Sequence, residues 1–319
     1  MTKDSDHSQQ RSPDLNRIFD TLRSKYWCWT LSSTIDGAAS LLELLHTKLT
    51  HISHSSWAER FDFGGIYING AEIIEDQLLP FPCKVEYYEP KFEIAQASAI
   101  FPRFEERSIV YHDDAIAVVY KPPGLSSMPA KEQRHYSLKA ALDNHFNTRI
   151  HMPSRLDVSA QGLVVVSINS RAHAALQKAF ESRAVEKSYY LATAANVPWD
   201  TKTVALAIAR DKQHPVLRTV SNNSGQSALT HLSLSHRTQS DGLPITVLKA
   251  LPVTGRTHQI RVHAASLGVA ILGDNFYGGA IAPYLHLVSF GLRLQHPSSF
   301  QPLSISLPDE LRPEWLRAL

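Results

Sequence analysis

Apolar positions along the chain fall into two stretches of different texture. In the first, Ala38, Leu41, Leu42, Leu45 and Leu49 recur at helical spacing and predict an amphipathic helix over 36–49. The run FGGIYINGAEI (63–73) then alternates and turns through Asn69-Gly70, a strong hairpin signal, and CKVEYYEP reads as a closing strand. In the second, a strand over Ala115–Tyr120 runs into Pro122-Pro123-Gly124, where it must leave its sheet because proline offers no ladder donor. Helical faces follow at 138–146 (Leu138, Ala141, Leu142, Phe146) and at Ser170–Glu181, with Ser170 as the expected cap. Between them lies the strand Gly162–Ile168. Further strands are predicted at 188–194, 203–209, 228–235, 246–251 and 285–297, with a helix over His258–Leu267 after a turn at Thr254-Gly255. There is no repeat and no regular βαβ alternation, so the expected class is α+β with a mixed, mainly antiparallel sheet.

These patterns divide the 319 residues into a tail (1–31), a small α+β module (32–90), a linker (91–107) and a main domain (108–319). Within the tail, the aromatic run KYWCWT is read as two tryptophans docked on the body. A hydrophobic content of 43% with 19% charged residues is that of a folded globular chain. No apolar run approaches the roughly 18–20 residues of a membrane span, and the polar N-terminus lacks the apolar region of a secretory signal. Cys28 and Cys83 have no metal-ligand spacing and read as reduced thiols, which points to the cytoplasm. The net charge of +2 conceals an asymmetry: residues 1–90 carry 8 Lys/Arg against 13 Asp/Glu, residues 91–319 carry 24 against 17. The long second stretch is therefore the better match for a polyanion.

The sixteen histidines form no H-E-x-x-H or Cys/His cluster, so no metal is expected, and nucleotide-binding and G-x-S-x-G patterns are missing. What remains is a set of polar residues at element ends. Asp157 lies between Arg155 and the apolar strand GLVVV, Tyr189 follows Lys187 at a strand start, and TGRTHQIRVH supplies Arg256, His258 and Arg261. Taken singly, an acid before a strand is a turn former and a helix-start arginine is a solvated side chain. Taken together, they describe a carboxylate held ionised by a guanidinium, beside an aromatic surface, and available as a nucleophile. His258 and Arg261, three apart, share a helix face.

The stretch SRLDVSAQGLVVVSINS resembles the H-R-L-D-x-x-T-S-G-L-L-x-x-A motif of the RluA-type RNA pseudouridine synthases. DDAIAVVYKPPGLSSMPA is similar to the strand and K-P-x-G-L loop of that family, and LHLVSFGLRLQHP to its late strand. PVTGRTHQIRVHAASLGVAILGDNFYGG is similar to its T-G-R-T-H-Q-I-R-V-H…G-D-x-x-Y-G stretch. The resemblance covers roughly 108–310 and implies a pseudouridine synthase catalytic domain. It also implies Asp157 as catalytic aspartate, Tyr189 as the tyrosine against the target base, and Arg261 as the partner of the aspartate. Arg155, Lys121, Arg256, His258, Arg210, Lys212 and Arg218 are the expected RNA contacts. The implied substrate is ribosomal or transfer RNA with its uridine flipped out, handled by a monomer without cofactor, DNA or membrane.

The chain departs from the family where Ser154 replaces the histidine of H-R-L-D and Ala160-Gln161 replace T-S. Activity is expected to survive with altered loop packing or substrate choice. The 32–90 module loosely resembles the small RNA-binding domain that many members carry. Three Lys/Arg against nine Asp/Glu predict weak RNA contact from it, or a structural role. Two alternatives compete. A catalytically silent RNA-binding or ribosome-assembly factor would use the same scaffold, and a glycosidase-like hydrolase would need a second carboxylate near Asp157.

Overall fold

The computed structural model describes residues 24–33, 38–214, 216–221, 224–240 and 242–317. Two compact units emerge, and the chain passes between them more than once. Among the described residues, no helix is long and apolar enough to cross a membrane. Most of the expected tail (1–31) lies outside the described residues.

The smaller unit holds residues 24–104 and Gly124–Thr148. Its strands β1 (Ser24–Leu31), β2 (Ile66–Ile68), β3 (Ala71–Glu72) and β4 (Cys83–Pro90) form an antiparallel sheet in the order β1-β4-β2-β3. The run KYWCWT is an edge strand paired along its length with β4, and its two tryptophans, Trp27 and Trp29, pack against the core of this unit. Helix α1 (Leu41–Lys48) begins later than its apolar spacing predicted. The Ser40 hydroxyl accepts from the Glu43 amide while Glu43 accepts from the Ser40 amide, a reciprocal cap that sets the start. Its Leu41, Leu44 and Leu45 pack with Trp57 and Phe61 of α2 (Trp57–Phe63) against Ile66, Val85 and Tyr87. The Asn69-Gly70 hairpin forms as predicted, both residues at positive φ.

Residues 91–107 are not a plain linker, because α3 (Ala97–Ile100) falls within them. Nor does the segment around α4 (Leu138–His145) cluster with the main domain. The Arg134 amide donates to the Phe63 carbonyl, its guanidinium to the Phe61 carbonyl, and the Tyr67 hydroxyl to the Lys131 carbonyl. These long-range bonds tie 124–148 to the smaller unit.

In the larger unit, β5 (Ile109–His112), β6 (Ile116–Lys121), β7 (Gln161–Ser167), β8 (Glu186–Thr193), β9 (Thr201–Val204), β12 (Thr230–Ser240), β13 (Leu243–Pro252), β14 (Leu287–Gln295) and β15 (Pro302–Ser306) form one sheet. The order is β5-β6-β7-β14-β8-β13-β12-β9, with β15 on β14. Among the described residues of this sheet, only the β7–β14 pair is parallel. Strands β10 (Ile208–Arg210) and β11 (Arg218–Val220) make a separate two-stranded ribbon. Strand β7 is buried at every position, as its continuous apolar run requires of a strand covered on both faces. Leu163 and Val165 meet Ala172 and Leu176 of α5 (Ser170–Glu181). The α5 cap is Asn169, not Ser170: its side-chain oxygen accepts from the Ala172 amide.

Strand β14 passes β7 so closely that a Cβ on Gly162 would lie 2.2 Å from the Ser289 carbonyl oxygen, and Gly162 sits at φ +114°. Glycine is required there on both counts. Gly162→Ala should therefore destabilise the protein by about 3 kcal/mol or more, read as a shift of the urea midpoint. A variant as stable as the parent would mean that β7 and β14 separate freely.

Candidate active site

Three segments far apart in sequence meet at Asp157. The first is its own loop, which a turn closes from the Ala160 amide to the Asp157 carbonyl. The second is β6, whose last residue, Lys121, is fully buried. The Lys121 ammonium donates to the carbonyls of Pro122 and Val158 at 2.9 and 3.1 Å, so it holds the backbone directly after Asp157. Burial pulls its pKa down to about 7, against the opposing pull of Asp157. The third segment is α6 (Gln259–Ser266) with the loop before it.

Helix α6 is buried through Gln259, Ile260, Arg261, Val262, His263 and Ala264. Polar side chains in such a helix must find partners inside the protein. The Gln259 amide donates to the Leu229 carbonyl and the Thr230 hydroxyl, and its oxygen accepts from the Thr254 hydroxyl and the Arg256 amide. His263 lies between the Thr230 hydroxyl and the Leu206 carbonyl. The loop 254–258 is thereby fixed by the helix it precedes.

Arg261 joins two carboxylates. It is bidentate to Asp274, Nε to Oδ2 and Nη2 to Oδ1, both at 2.8 Å. Its Nη1 reaches Oδ2 of Asp157 at 3.2 Å. Burial works against its charge, but Asp274 foremost and then Asp157 raise its pKa above the ordinary arginine value. The guanidinium also lies 5.0 and 5.1 Å from the ring centres of Phe276 and Tyr277. The two acids are not equivalent: the Asp274 side chain is 0% exposed, that of Asp157 23%. Asp274 is an internal anchor, and Asp157 is the more open of the two acids.

His258 takes a left-handed conformation (φ +58°) before α6. Its Nδ1 is 2.6 Å from the Tyr277 hydroxyl and its Nε2 3.9 Å from Oδ1 of Asp157. Burial lowers its pKa to about 4, so the ring is neutral at neutral pH. Tyr189, on β8 opposite Ser289 of β14, is half-buried. Burial pushes its hydroxyl to about 12, with the nearby charge of Asp157 adding to the rise.

The family described as RNA pseudouridylate synthase matches residues 115–266. The dual-specificity RNA pseudouridine synthase RluA of Vibrio parahaemolyticus is 35% identical over 212 residues, 65% of this chain and 84% of that protein. The chain belongs to the RluA-type RNA pseudouridine synthases. A Bacillus subtilis relative, the uncharacterized RNA pseudouridine synthase YhcT, is 30% identical over 190 residues, 58% of this chain and 62% of that one. Human RNA pseudouridylate synthase domain containing 1 superposes with a TM-score of 0.55 at 26% identity, covering 65% of this chain and 84% of that one. As an RluA-type synthase the chain is an isomerase that converts uridine in RNA to pseudouridine. The reading as a silent factor is not favoured by these relatives.

The expected trio of this RluA-type synthase comes together: Arg261 bonds Asp157, and Tyr189 lies within reach of the Asp157 charge. Of the expected RNA contacts, Arg155, Arg210 and Lys212 are exposed, and Arg256 is half-buried with Nε on the Ser227 carbonyl. Arg218 turns inward, Nη1 donating to the carbonyls of Val216 and Leu217. Two expectations are corrected. Lys121 is no surface phosphate ligand, because its ammonium is sealed beneath the Asp157 loop. His258 is no exposed contact either, because its ring is buried between Tyr277 and Asp157. Asp274 and Tyr277 were not foreseen, although the G-D-N-F-Y-G run contains both. Asp274 is the second carboxylate that a glycosidase reading requires, but both its oxygens are engaged by Arg261.

Removing one partner of a buried ion pair strands the other, so Asp274→Ala should cost about 3–5 kcal/mol of folding stability. Asp157→Ala, losing one half-exposed contact, should cost less than about 1 kcal/mol. Denaturant unfolding of the two variants ranks them, and the reverse order would make Asp157 the structural anchor.

Proposed function

We propose that Asp157 is the reacting carboxylate of a synthase that flips a uridine of ribosomal or transfer RNA into this site. The observation that carries the reading is the asymmetry at Arg261: one carboxylate buried and held by two bonds, the other held by a single bond to the same guanidinium and more exposed. Asp157 acts as nucleophile toward ribose or ring, or as base toward a ribose proton. Tyr189 supplies a stacking face, worth on the order of 1–3 kcal/mol, against the few kcal/mol that extruding a base costs. A tyrosine is already a phenol at neutral pH and burial pushes this one further up, so it is a ring with a hydroxyl donor and not a second base. The name of the Vibrio relative, a dual-specificity RNA pseudouridine synthase, supports an RNA substrate. The enzyme acts as a monomer in the cytoplasm.

Arg155, Arg210 and Lys212 are the proposed phosphate contacts. Arg210 and Arg218 stand directly opposite each other on the β10–β11 ribbon. The small unit adds little affinity, since its 32–90 segment carries nine acids against three bases.

Asp157→Asn should bind RNA like the parent while pseudouridine formation, followed by mass spectrometry of digested RNA, falls by about a thousandfold or more. Retained activity would refute the assignment. Mapping pseudouridines in ribosomal and transfer RNA with and without the gene identifies the target, and no lost site would revive the silent-factor reading. Arg155→Ala and Arg210→Ala should weaken binding across all RNA sequences. Each should flatten the plot of log affinity against log salt by about 0.7 per lost contact, as measured by titration at several salt concentrations.

A further inference from the structure

The His258 ring is better determined than a buried histidine near an acid usually is, because both of its nitrogens face groups whose own bonding is known. On the Nδ1 side lies the Tyr277 hydroxyl at 2.6 Å. That oxygen already accepts from the Arg218 amide at 3.0 Å. It keeps a second lone pair, but no other acceptor is bonded to it among the described residues, so the phenol directs its single proton to Nδ1. Nδ1 is then an acceptor, and in a neutral ring the proton resides on Nε2. The other side of the ring leads to the same tautomer. Nε2 faces Oδ1 of Asp157, and a lone pair aimed at a carboxylate would be repelled where an N–H is attracted. The charged and titratable groups around the ring are Asp157, Arg261, Asp274, Arg218 and Tyr277.

The two oxygens of Asp157 therefore differ. Oδ2 is tied to Arg261 at 3.2 Å, while Oδ1 lies 3.9 Å from Nε2, beyond a full hydrogen bond. We infer that His258 is a positioning residue, a neutral imidazole whose Nε2–H is held by the relay Arg218 amide–Tyr277 hydroxyl–Nδ1 so that it orients Oδ1 of Asp157 toward the substrate. The inference rests on Asp157 being the reacting group. A left-handed backbone at a β-carbon-bearing residue is costly, and it is what turns this ring back over the acid from the start of α6.

Two measurements test it. Nitrogen-15 spectra of the wild-type histidines at neutral pH should show His258 protonated on Nε2 alone, and Tyr277→Phe should redistribute the proton between the two nitrogens. A proton on Nδ1 only, or an imidazolium, overturns the inference without reference to activity. In single-turnover assays, His258→Ala should lower the rate by about tenfold, because a 3.9 Å contact is weaker than a full hydrogen bond to a charged group, with RNA affinity nearly unchanged. His258→Gln, which restores an N–H, should recover most of that loss. An affinity loss at unchanged rate would mean that His258 contacts RNA phosphate instead, and a full rate in the alanine variant would remove it from the machinery. Should His258→Ala fail to fold, the wild-type spectrum and the Tyr277→Phe variant still decide. The underlying reading is tested separately: full activity in Asp157→Asn overturns that reading, whereas inactive Asp157→Asn beside fully active His258→Ala overturns this inference alone.

Discussion

The site depends on one guanidinium shared by two carboxylates. Alone in the interior, the Arg261 charge would be prohibitively costly, and Asp274 offsets that cost by accepting two parallel hydrogen bonds. Only because Asp274 satisfies Nε and Nη2 does Nη1 stand in a fixed place to meet Asp157. Asp157 then meets the guanidinium through one oxygen without becoming locked. Had the guanidinium been bidentate to Asp157 instead, the acid would be an internal strut with no free oxygen.

That electrostatic arrangement needs backbone held to within fractions of an ångström, and the chain provides it through close approach. Gly162 lets β14 lie against the start of β7, which ends the Asp157 loop at a fixed point on the sheet. Lys121 fastens the same loop from beneath through the Val158 carbonyl. Gln259 holds the loop ahead of α6, so His258 and Arg261 arrive as one rigid piece. Asp157 thus rests on interlocking backbone contacts from three directions, which is how a loop residue acquires the precision of one on a strand.

Much of this was legible in residue patterns. Strand β7 announced itself as an apolar run, α5 by its helical period and the small unit's hairpin by Asn69-Gly70. Asp157, Tyr189 and Arg261 were found because their motifs are contiguous. Less legible were residues whose chemistry reverses on burial. Lys121 reads as a phosphate ligand because lysines are usually exposed, and nothing local reveals that its ammonium will be capped by two carbonyls. His258 reads as one face of a helix, whereas a left-handed residue breaks the helical period at that position.

Local pattern suffices where the determining force is local. Periodicity, capping, turn chemistry and contiguous motifs are properties of neighbours in sequence, and from them the chain by itself determined its α+β class, its main strands and the three residues of its proposed chemistry. Which acid is anchored and which is open was decided only by tertiary structure. Arg261 and Asp157 are 104 residues apart, and the charge of Arg261 is sustained in the interior only by carboxylates that the fold brings within a few ångströms.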